Sequence, residues 1–212
     1  MRERIARRAL EELPAGSVVN LGVGIPTLIA TLAQARGRIF IHSENGILGA
    51  GPRPPEGAID PMLVDAGKRP ITASPGASYF DSALSFAMIR GGHIDVAVLG
   101  ALQVDARGRV ANWAMPGQPI LGVGGAMDLL GGARRVVVTM THLSNAGEPK
   151  IVPELTLPIG SLRSVDVIVT DYGVLDVTDG ALVLRELATD VTLEHFTQAT
   201  PAPFSLGVQR TR

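Results

Sequence analysis

The sequence predicts an α/β fold in which one open, mostly parallel sheet is flanked by helices, formed by a single domain over residues 1–212. Two observations support this prediction. A β-branched run, a glycine turn, an apolar helical stretch and a second strand follow one another over residues 17–41, as in a parallel βαβ unit. Residues 94–99 form an almost continuous apolar run, which is typical of a strand buried on both faces. The chain shows no repeat, low-complexity segment or linker that would divide it.

The individual elements follow from hydrophobic periodicity and from the positions of Gly and Pro. Residues 4–13 carry apolar residues at helical spacing and stop at Pro14, and Asp81 is a suitable N-cap for a helix over residues 81–90. The remaining predictions are helices at 27–35 and 193–197, and strands at 17–21, 38–41, 94–99, 135–140, 165–170 and 182–187. The segment 43–75, rich in Gly and Pro, is predicted to be a long functional loop.

The composition excludes several classes of protein. The chain has 19 Lys and Arg against 20 Asp and Glu, and only 4% of its residues are aromatic. This balance argues against a nucleic-acid or anionic-membrane surface. The chain has no cysteine, which removes disulfides, thiolate zinc sites and cysteine nucleophiles. It shows no secretory signal and no apolar stretch long enough to span a membrane, so we expect a soluble cytoplasmic protein.

Two glycine-rich turns precede predicted helices. In Gly22-Val-Gly24-Ile-Pro26 the glycines allow backbone N–H groups to approach an anion, so the turn could hold a phosphate or carboxylate. A tight strand-to-helix turn explains the same glycines equally well. The second turn, residues 122–128, contains Gly124 and Gly125, whose adjacent N–H groups could face a developing oxyanion. Its alternative explanation is also a plain turn before a helix.

Ser43-Glu44-Asn45-Gly46 follows a predicted strand, where ligands of open α/β sheets bind. Glu44 lies between apolar runs, and a partly desolvated carboxylate is a stronger nucleophile. The alternative is a surface turn in which Glu44 is solvated. Lys68 could bind a phosphate or a thioester-linked chain, or it could be a solvated cation.

The histidines indicate structure more than chemistry. His42, His93 and His142 are separated by about 50 residues each, which matches no local metal motif. His195 falls in the predicted last helix, and no Gly-x-Ser-x-Gly elbow exists for a serine hydrolase. We expect each histidine to have a hydrogen-bonded structural role.

Several longer blocks of the sequence are more specific together than any single motif. They are NLGVGIPT at 20–27, SENG at 43–46 with GAGP at 49–52, SFAMIRGGHID at 85–95, LGALQVD at 99–105, ANW at 111–113 and GGAMD at 124–128. Together they resemble the B subunits of 3-oxoacid coenzyme A transferases, over roughly residues 4–200. The chain departs from the family's usual residues at Thr141, where Met-Thr-His at 140–142 replaces Met-Glu-His, and at 150–157, which leaves its acyl substrate open.

The resemblance implies a coenzyme A transferase-like fold, with Glu44 as the nucleophile and the Gly125 N–H as an oxyanion donor. The residues that it suggests for substrate or coenzyme A binding are Gly24, Asn45, Lys68, Gln103 and Gly124. It implies no metal and no cofactor, since coenzyme A is itself a substrate. It also implies an A subunit as partner, in an A2B2 heterotetramer.

The implied reaction moves coenzyme A between an acyl-CoA, such as succinyl-CoA, and a 3-oxoacid or another short carboxylic acid, through a glutamyl-CoA thioester. Two other functions remain open at this point. One is an acyl-CoA hydrolase, in which water intercepts the acylated glutamate. The other is a non-catalytic ligand-sensing domain. The sequence argues against it, because it contains no basic recognition helix.

Overall fold

The computed structural model describes residues 1–34, 39–117 and 122–207, which form five helices, thirteen strands and one 3-10 turn at Glu56–Ala58. The helices are α1 Arg2–Leu10, α2 Ile25–Gln34, α3 Ser82–Arg90, α4 Ala126–Gly132 and α5 Leu193–Ala199. The strands are β1 Ser17–Leu21, β2 Ile39–Ser43, β3 Ile47–Ala50, β4 Ala73–Tyr79, β5 Val96–Gly100, β6 Gln103–Asp105, β7 Val110–Ala111, β8 Arg135–Thr139, β9 Ile151–Val152, β10 Val167–Val169, β11 Gly173–Thr178, β12 Ala181–Leu187 and β13 Phe204–Leu206.

Ten strands form one open sheet in the order β13-β12-β11-β10-β8-β5-β1-β2-β3-β4. Its five central strands, from β10 to β2, are parallel to one another. Antiparallel hairpins extend the sheet on both sides. The predicted fold class is therefore confirmed. Because the central strands are parallel, their carboxyl ends meet at one edge of the sheet, here called the carboxyl edge.

Both faces of the sheet are covered, which explains the continuous apolar run in β5. Ala97 and Leu99 pack into the core on one face of the sheet, and Val96 and Val98 pack into the core on the other. Helix α1 and helix α2 cover the face that contains Val96, while α3, α4 and α5 lie on the opposite side. A strand buried on both faces has no polar side to alternate with.

Some sequence predictions need correction. Residues 43–75 are not one loop, because β3 and the start of β4 lie within them and pair as a hairpin at the end of the sheet. A second sheet of three short strands, in the order β7-β6-β9, was not predicted. The predicted helix at 27–35 and strand at 38–41 correspond to α2 and β2, and their residues 35 and 38 lie outside the described residues. Among the described helices, none has the length and apolar character to cross a membrane.

Candidate active site

A cleft of about 770 Å³ opens at the carboxyl edge of the sheet. Its walls come from the segments that follow β1, β2, β5 and β8 and from the start of α4. The cleft lining includes four of the predicted site residues, namely Gly24, Glu44, Gly124 and Gly125. The structure thus brings together two sequence motifs that lie 80 residues apart. We refer to this space as the active-site cleft.

Glu44 occupies the turn between β2 and β3, and its side chain lies in the cleft, half-buried. The turn requires glycine at position 46, where φ is 123° and a Cβ would lie 2.0 Å from the Phe80 carbonyl oxygen. The Asn20 side-chain amide donates a 3.0 Å hydrogen bond to Glu44 Oε2. Glu44 is therefore held by a buried neighbour and is not a solvated carboxylate on a surface turn.

His42 lies directly under this arrangement, at the end of β2. The side chain is 1% exposed, and its Nδ1 lies 3.2 Å from Asn20 Nδ2 while its Nε2 lies 3.0 Å from Ser85 Oγ. Burial lowers the pKa of His42 to about 4, so the ring is neutral at neutral pH. β2 ends at Ser43, so His42 lies on the strand whereas Glu44 belongs to the turn that follows it.

His142 has the structural role expected from the sequence. It is fully buried, and its two ring nitrogens lie 3.1 Å from Thr170 Oγ1 and 2.9 Å from Thr200 Oγ1. Burial lowers the pKa of His142 to about 4 as well. It therefore joins strand β10 to the end of α5 as a neutral hydrogen-bonding group.

Gly125 faces Glu44 across the cleft, as the N-cap of α4. A Cβ at this position would lie 3.3 Å from Glu44 Cγ and 3.5 Å from Glu44 Oε1. Within the described residues, no hydrogen bond takes up the Gly125 N–H group. Gly124, with φ of 55°, needs the freedom of glycine. The sequence's second glycine cluster also includes residues 118–121, which lie outside the described residues.

The first glycine turn divides into a packing residue and a cleft residue. Gly22 donates its N–H to the Val98 carbonyl oxygen at 2.8 Å, and a Cβ would lie 3.2 Å from that same oxygen. Close packing against β5 therefore accounts for Gly22. Gly24 has φ of 98° and open space around it, so its backbone can meet a ligand. Of this turn, Gly24 stays a candidate for substrate binding.

The structure does not bring the other predicted binding residues into the described cleft lining. The Asn45 amide donates to the Val64 carbonyl oxygen at 2.7 Å, and Lys68 is exposed on a turn with φ of 62°. The Gln103 amide bonds to Thr156, donating at 2.8 Å and accepting from its N–H at 3.0 Å. Their binding of substrate or coenzyme A stays a prediction.

Five polar residues of the cleft were not predicted as site residues: Arg2, Asn112, Thr139, Thr141 and Lys150. Thr139 Oγ1 and Asn112 Oδ1 are buried and, among the described residues, have no hydrogen-bond partner. Burial lowers the pKa of Lys150 to about 8, against the opposing effect of Asp171. One signal could have found Thr139, since it ends a buried strand at the carboxyl edge. Lys150 is one of only two lysines in the chain.

No group of three or more His, Cys, Asp or Glu side chains that could hold a metal ion occurs within residues 1–34, 39–117 and 122–207. The polar groups around Glu44 are an amide, an imidazole and a glycine backbone. They suit nucleophilic chemistry by a carboxylate, with hydrogen-bond donors nearby to stabilise an oxyanion.

This fold and cleft can be compared with known proteins. The profile of the family described as coenzyme A transferase matches residues 2–198. The chain therefore belongs to the coenzyme A transferase family.

Individual relatives support this assignment over the full chain. The chain is 47% identical, over 97% of its length and 95% of the relative's, to the B subunit of a probable succinyl-CoA:3-ketoacid coenzyme A transferase from Bacillus subtilis. It is 46% identical, over 95% and 93% of the two lengths, to the B subunit of the 3-oxoadipate CoA-transferase from Acinetobacter baylyi. The fold superposes with a TM-score of 0.77 on the acyl-CoA transferase YdiF from Escherichia coli O157:H7, at 23% identity and over 97% of this chain. The chain spans only 42% of the YdiF chain.

Proposed function

We propose that this chain is the single-domain B subunit of a transferase that moves coenzyme A between an acyl-CoA, such as succinyl-CoA, and a 3-oxoacid or another short carboxylic acid. The observation that carries the proposal is the placement of the Glu44 carboxylate in the active-site cleft. Asn20 holds one carboxylate oxygen, and Gly125 lies next to the other with an N–H group that no described residue takes up.

In the first half-reaction, Glu44 Oε1 attacks the thioester carbonyl carbon, and the carbonyl oxygen becomes an oxyanion near the Gly125 N–H. The carbon–sulfur bond then breaks, which leaves an acyl-glutamyl anhydride and free coenzyme A thiolate. The thiolate attacks the glutamyl carbonyl carbon and expels the first carboxylic acid as its carboxylate. Glu44 now carries coenzyme A as a thioester.

The second half-reaction reverses these steps with another acid. The acceptor carboxylate attacks the glutamyl thioester and releases the thiolate, which then attacks the acceptor's carbonyl carbon in the new anhydride. The products are a new acyl-CoA and a free Glu44 carboxylate. One thioester is exchanged for another, so the reaction needs no ATP, metal or redox cofactor. A serine ester would not keep the thioester's free energy, whereas an anhydride does.

The charge distribution of the cleft supports acidic substrates. Arg2 and Lys150 line it together with the unpartnered hydroxyl of Thr139. Within the described residues, no carboxylate lies in ion-pair distance of the Lys150 ammonium group. The Lys150 ammonium group and the Thr139 hydroxyl could therefore bind a carboxylate group of the acyl donor or acceptor.

The partner in this proposal is an A subunit, in an A2B2 heterotetramer. The relatives described above are named as B subunits, and YdiF, which contains this fold, is more than twice as long. Large apolar side chains are also exposed at and next to the cleft: Val23, which lines it, at 70%, and Met127, which follows the lining residue Ala126, at 56%. Apolar residues beside a cleft suit burial against another subunit.

Chemical trapping in the complex with the A subunit tests the function. Incubation with an acyl-CoA should attach coenzyme A to the peptide that contains residues 43–46, as seen by mass spectrometry. Borohydride should reduce this thioester and inactivate the enzyme, and Glu44→Gln should prevent both effects. Label on another peptide, or full activity of Glu44→Ala, contradicts the proposal. Formation of free coenzyme A without a new acyl-CoA, even with acetate or succinate added, would instead identify a hydrolase.

A further inference from the structure

A buried hydrogen-bonded chain runs from Ser85 through His42 and Asn20 to Glu44. Ser85 and Asn20 are fully buried and His42 is 1% exposed. The three contacts measure 3.0 Å from Ser85 Oγ to His42 Nε2, 3.2 Å from His42 Nδ1 to Asn20 Nδ2, and 3.0 Å from Asn20 Nδ2 to Glu44 Oε2. The reaction steps proposed above use neither His42 nor Ser85, so their burial beneath the nucleophile needs its own explanation.

The chemistry of the groups fixes the direction of these hydrogen bonds. The Asn20 amide nitrogen is a donor only, so its two hydrogens point to Glu44 Oε2 and to His42 Nδ1, which must be the acceptor. The single proton of the neutral imidazole then lies on Nε2, where it can be donated to Ser85 Oγ. The lowered pKa of His42 agrees with a neutral ring, and the position of its proton follows from the orientation of the Asn20 amide.

The amide oxygen shows that the orientation of Asn20 is imposed by its neighbours. Asn20 Oδ1 is buried and has no hydrogen-bond partner among the described residues. With the amide reversed, Oδ1 would face the Glu44 carboxylate and repel it, and His42 could bond to Oδ1 only in the other tautomer, protonated at Nδ1. When Ser85 Oγ accepts the Nε2 proton, His42 Nδ1 is an acceptor and favours the orientation in which Asn20 can hold Glu44.

We propose that His42 and Ser85 are positioning residues that fix the Asn20 amide with its NH2 group toward Glu44. Asn20 in turn restrains Oε2, which leaves Oε1 facing Gly125 and the cleft. The register of the sheet makes this possible, since Asn20 and His42 are direct partners in the parallel pair β1–β2. The proposal rests on the proposed function of Glu44 as the nucleophile.

The kinetic test uses the complex with the A subunit and measures the rate of coenzyme A attachment to Glu44 at saturating acyl-CoA. His42→Phe keeps the ring's volume but removes the acceptor, and should slow attachment about tenfold to a hundredfold, the effect of a lost hydrogen bond to a charged group. KM should stay nearly unchanged, because His42 contacts no substrate. His42→Gln should recover part of the rate, since its side-chain oxygen can accept from Asn20.

A double variant separates positioning from general stability. If His42 acts through Asn20, then Asn20→Ala combined with His42→Phe should be no slower than Asn20→Ala alone. If the rate losses of the two single variants instead multiply in the double variant, the proposal is overturned. His142→Phe is the matched control, because it removes an equally buried, hydrogen-bonded histidine that contacts neither Asn20 nor Glu44. Its attachment rate, per folded protein, should stay within about twofold of the wild type.

A spectroscopic measurement tests the same proposal without any variant. Nitrogen-15 NMR of selectively labelled histidine should show His42 as the neutral tautomer protonated at Nε2, and protonation at Nδ1 would overturn the proposal. Different results would contradict the proposed function of Glu44 and the positioning role of His42. If no coenzyme A attaches to wild-type Glu44, the proposed function is wrong. If it attaches and His42→Phe attaches it equally fast, only the positioning role is wrong.

Discussion

Replacing Gly125 by Ala tests how closely the cleft confines the Glu44 side chain. The new Cβ would lie 3.3 Å from Glu44 Cγ and 3.4 Å from Phe86 Cζ. Carbon atoms in ordinary contact are separated by about 3.5–4.0 Å. The backbone at Gly125 has φ of −78°, which alanine adopts without strain, so the steric contact is the main change. The Glu44 side chain must move away to accommodate it.

The size of the effect follows from this displacement. Relieving the contact moves Glu44 Cγ by about 0.4 Å, and a misplacement of about 1 Å in a catalytic group costs about a hundredfold in rate. On that scale the variant should attach coenzyme A to Glu44 about fivefold to tenfold more slowly. The free energy of unfolding should fall by about 1 kcal/mol, because glycine is a better N-cap residue than alanine.

The assay is the rate of coenzyme A attachment to Glu44, measured with the A subunit present, beside thermal unfolding of each variant. Gly131→Ala is the matched control, because it lies in the same helix and its Cβ would meet nothing within 4 Å. This control should react at the wild-type rate. An equally fast Gly125→Ala would refute the reasoning, since Glu44 would then not be confined by Gly125.

Three further predictions concern charge, stability and assembly. Lys150→Met should raise KM for the acid substrates at least tenfold at pH 7. In the wild type this KM should rise above about pH 8, where Lys150, which faces Arg2 and Asp171, loses its proton. A KM that changes neither with the substitution nor with pH would exclude an anion-binding role for Lys150. Glu12→Gln should lower the free energy of unfolding by about 2–3 kcal/mol in chemical denaturation at pH 7. Burial opposes the charge on Glu12, but the hydrogen bond from Arg8 holds the pKa of Glu12 below its ordinary 4.5. The stabilisation should therefore be present above pH 4.5 and be lost as the pH falls through the lower folded-state pKa. A difference in the free energy of unfolding between the wild type and Glu12→Gln that persists at pH 2 would contradict this prediction. The purified chain alone should transfer no coenzyme A until the A subunit is added, and robust transfer by the isolated chain would place the whole active site within it.

The sequence predicted those parts of the fold in which hydrophobic pattern and burial coincide. The apolar run that became β5 was recognised because both its faces are covered. The strands of the small second sheet have two or three residues each, too few to show a period of two. The β3–β4 hairpin was taken for a loop because Gly49, Gly51 and Pro75 interrupt its pattern, and the first of these has φ of 92°.

The candidate site was predictable to the extent that it lies in contiguous motifs. Glu44 and Gly125 each belong to such a motif, and the structure places them side by side. Asn20 and His42 were not assigned a role in the site, because their contact depends on the register between two strands. A signal did exist, since each is a polar residue that directly follows an apolar run near the end of its strand. Lys150 could not be found in this way, because it reaches the cleft from the small second sheet's side.

The strand order explains why the cleft lies where it does. From β1 the chain continues to β2 on one side and later returns to β5 and β8 on the other side. The connections that follow β1 and β5 therefore leave in opposite directions and open a crevice at their carboxyl ends. Gly22, the first residue after β1, and Gly100, the last residue of β5, both line the active-site cleft. The topology thus provides the space, and Asn20, paired with His42 across β1 and β2, holds the carboxylate of Glu44 in the turn after β2 at the rim of the cleft.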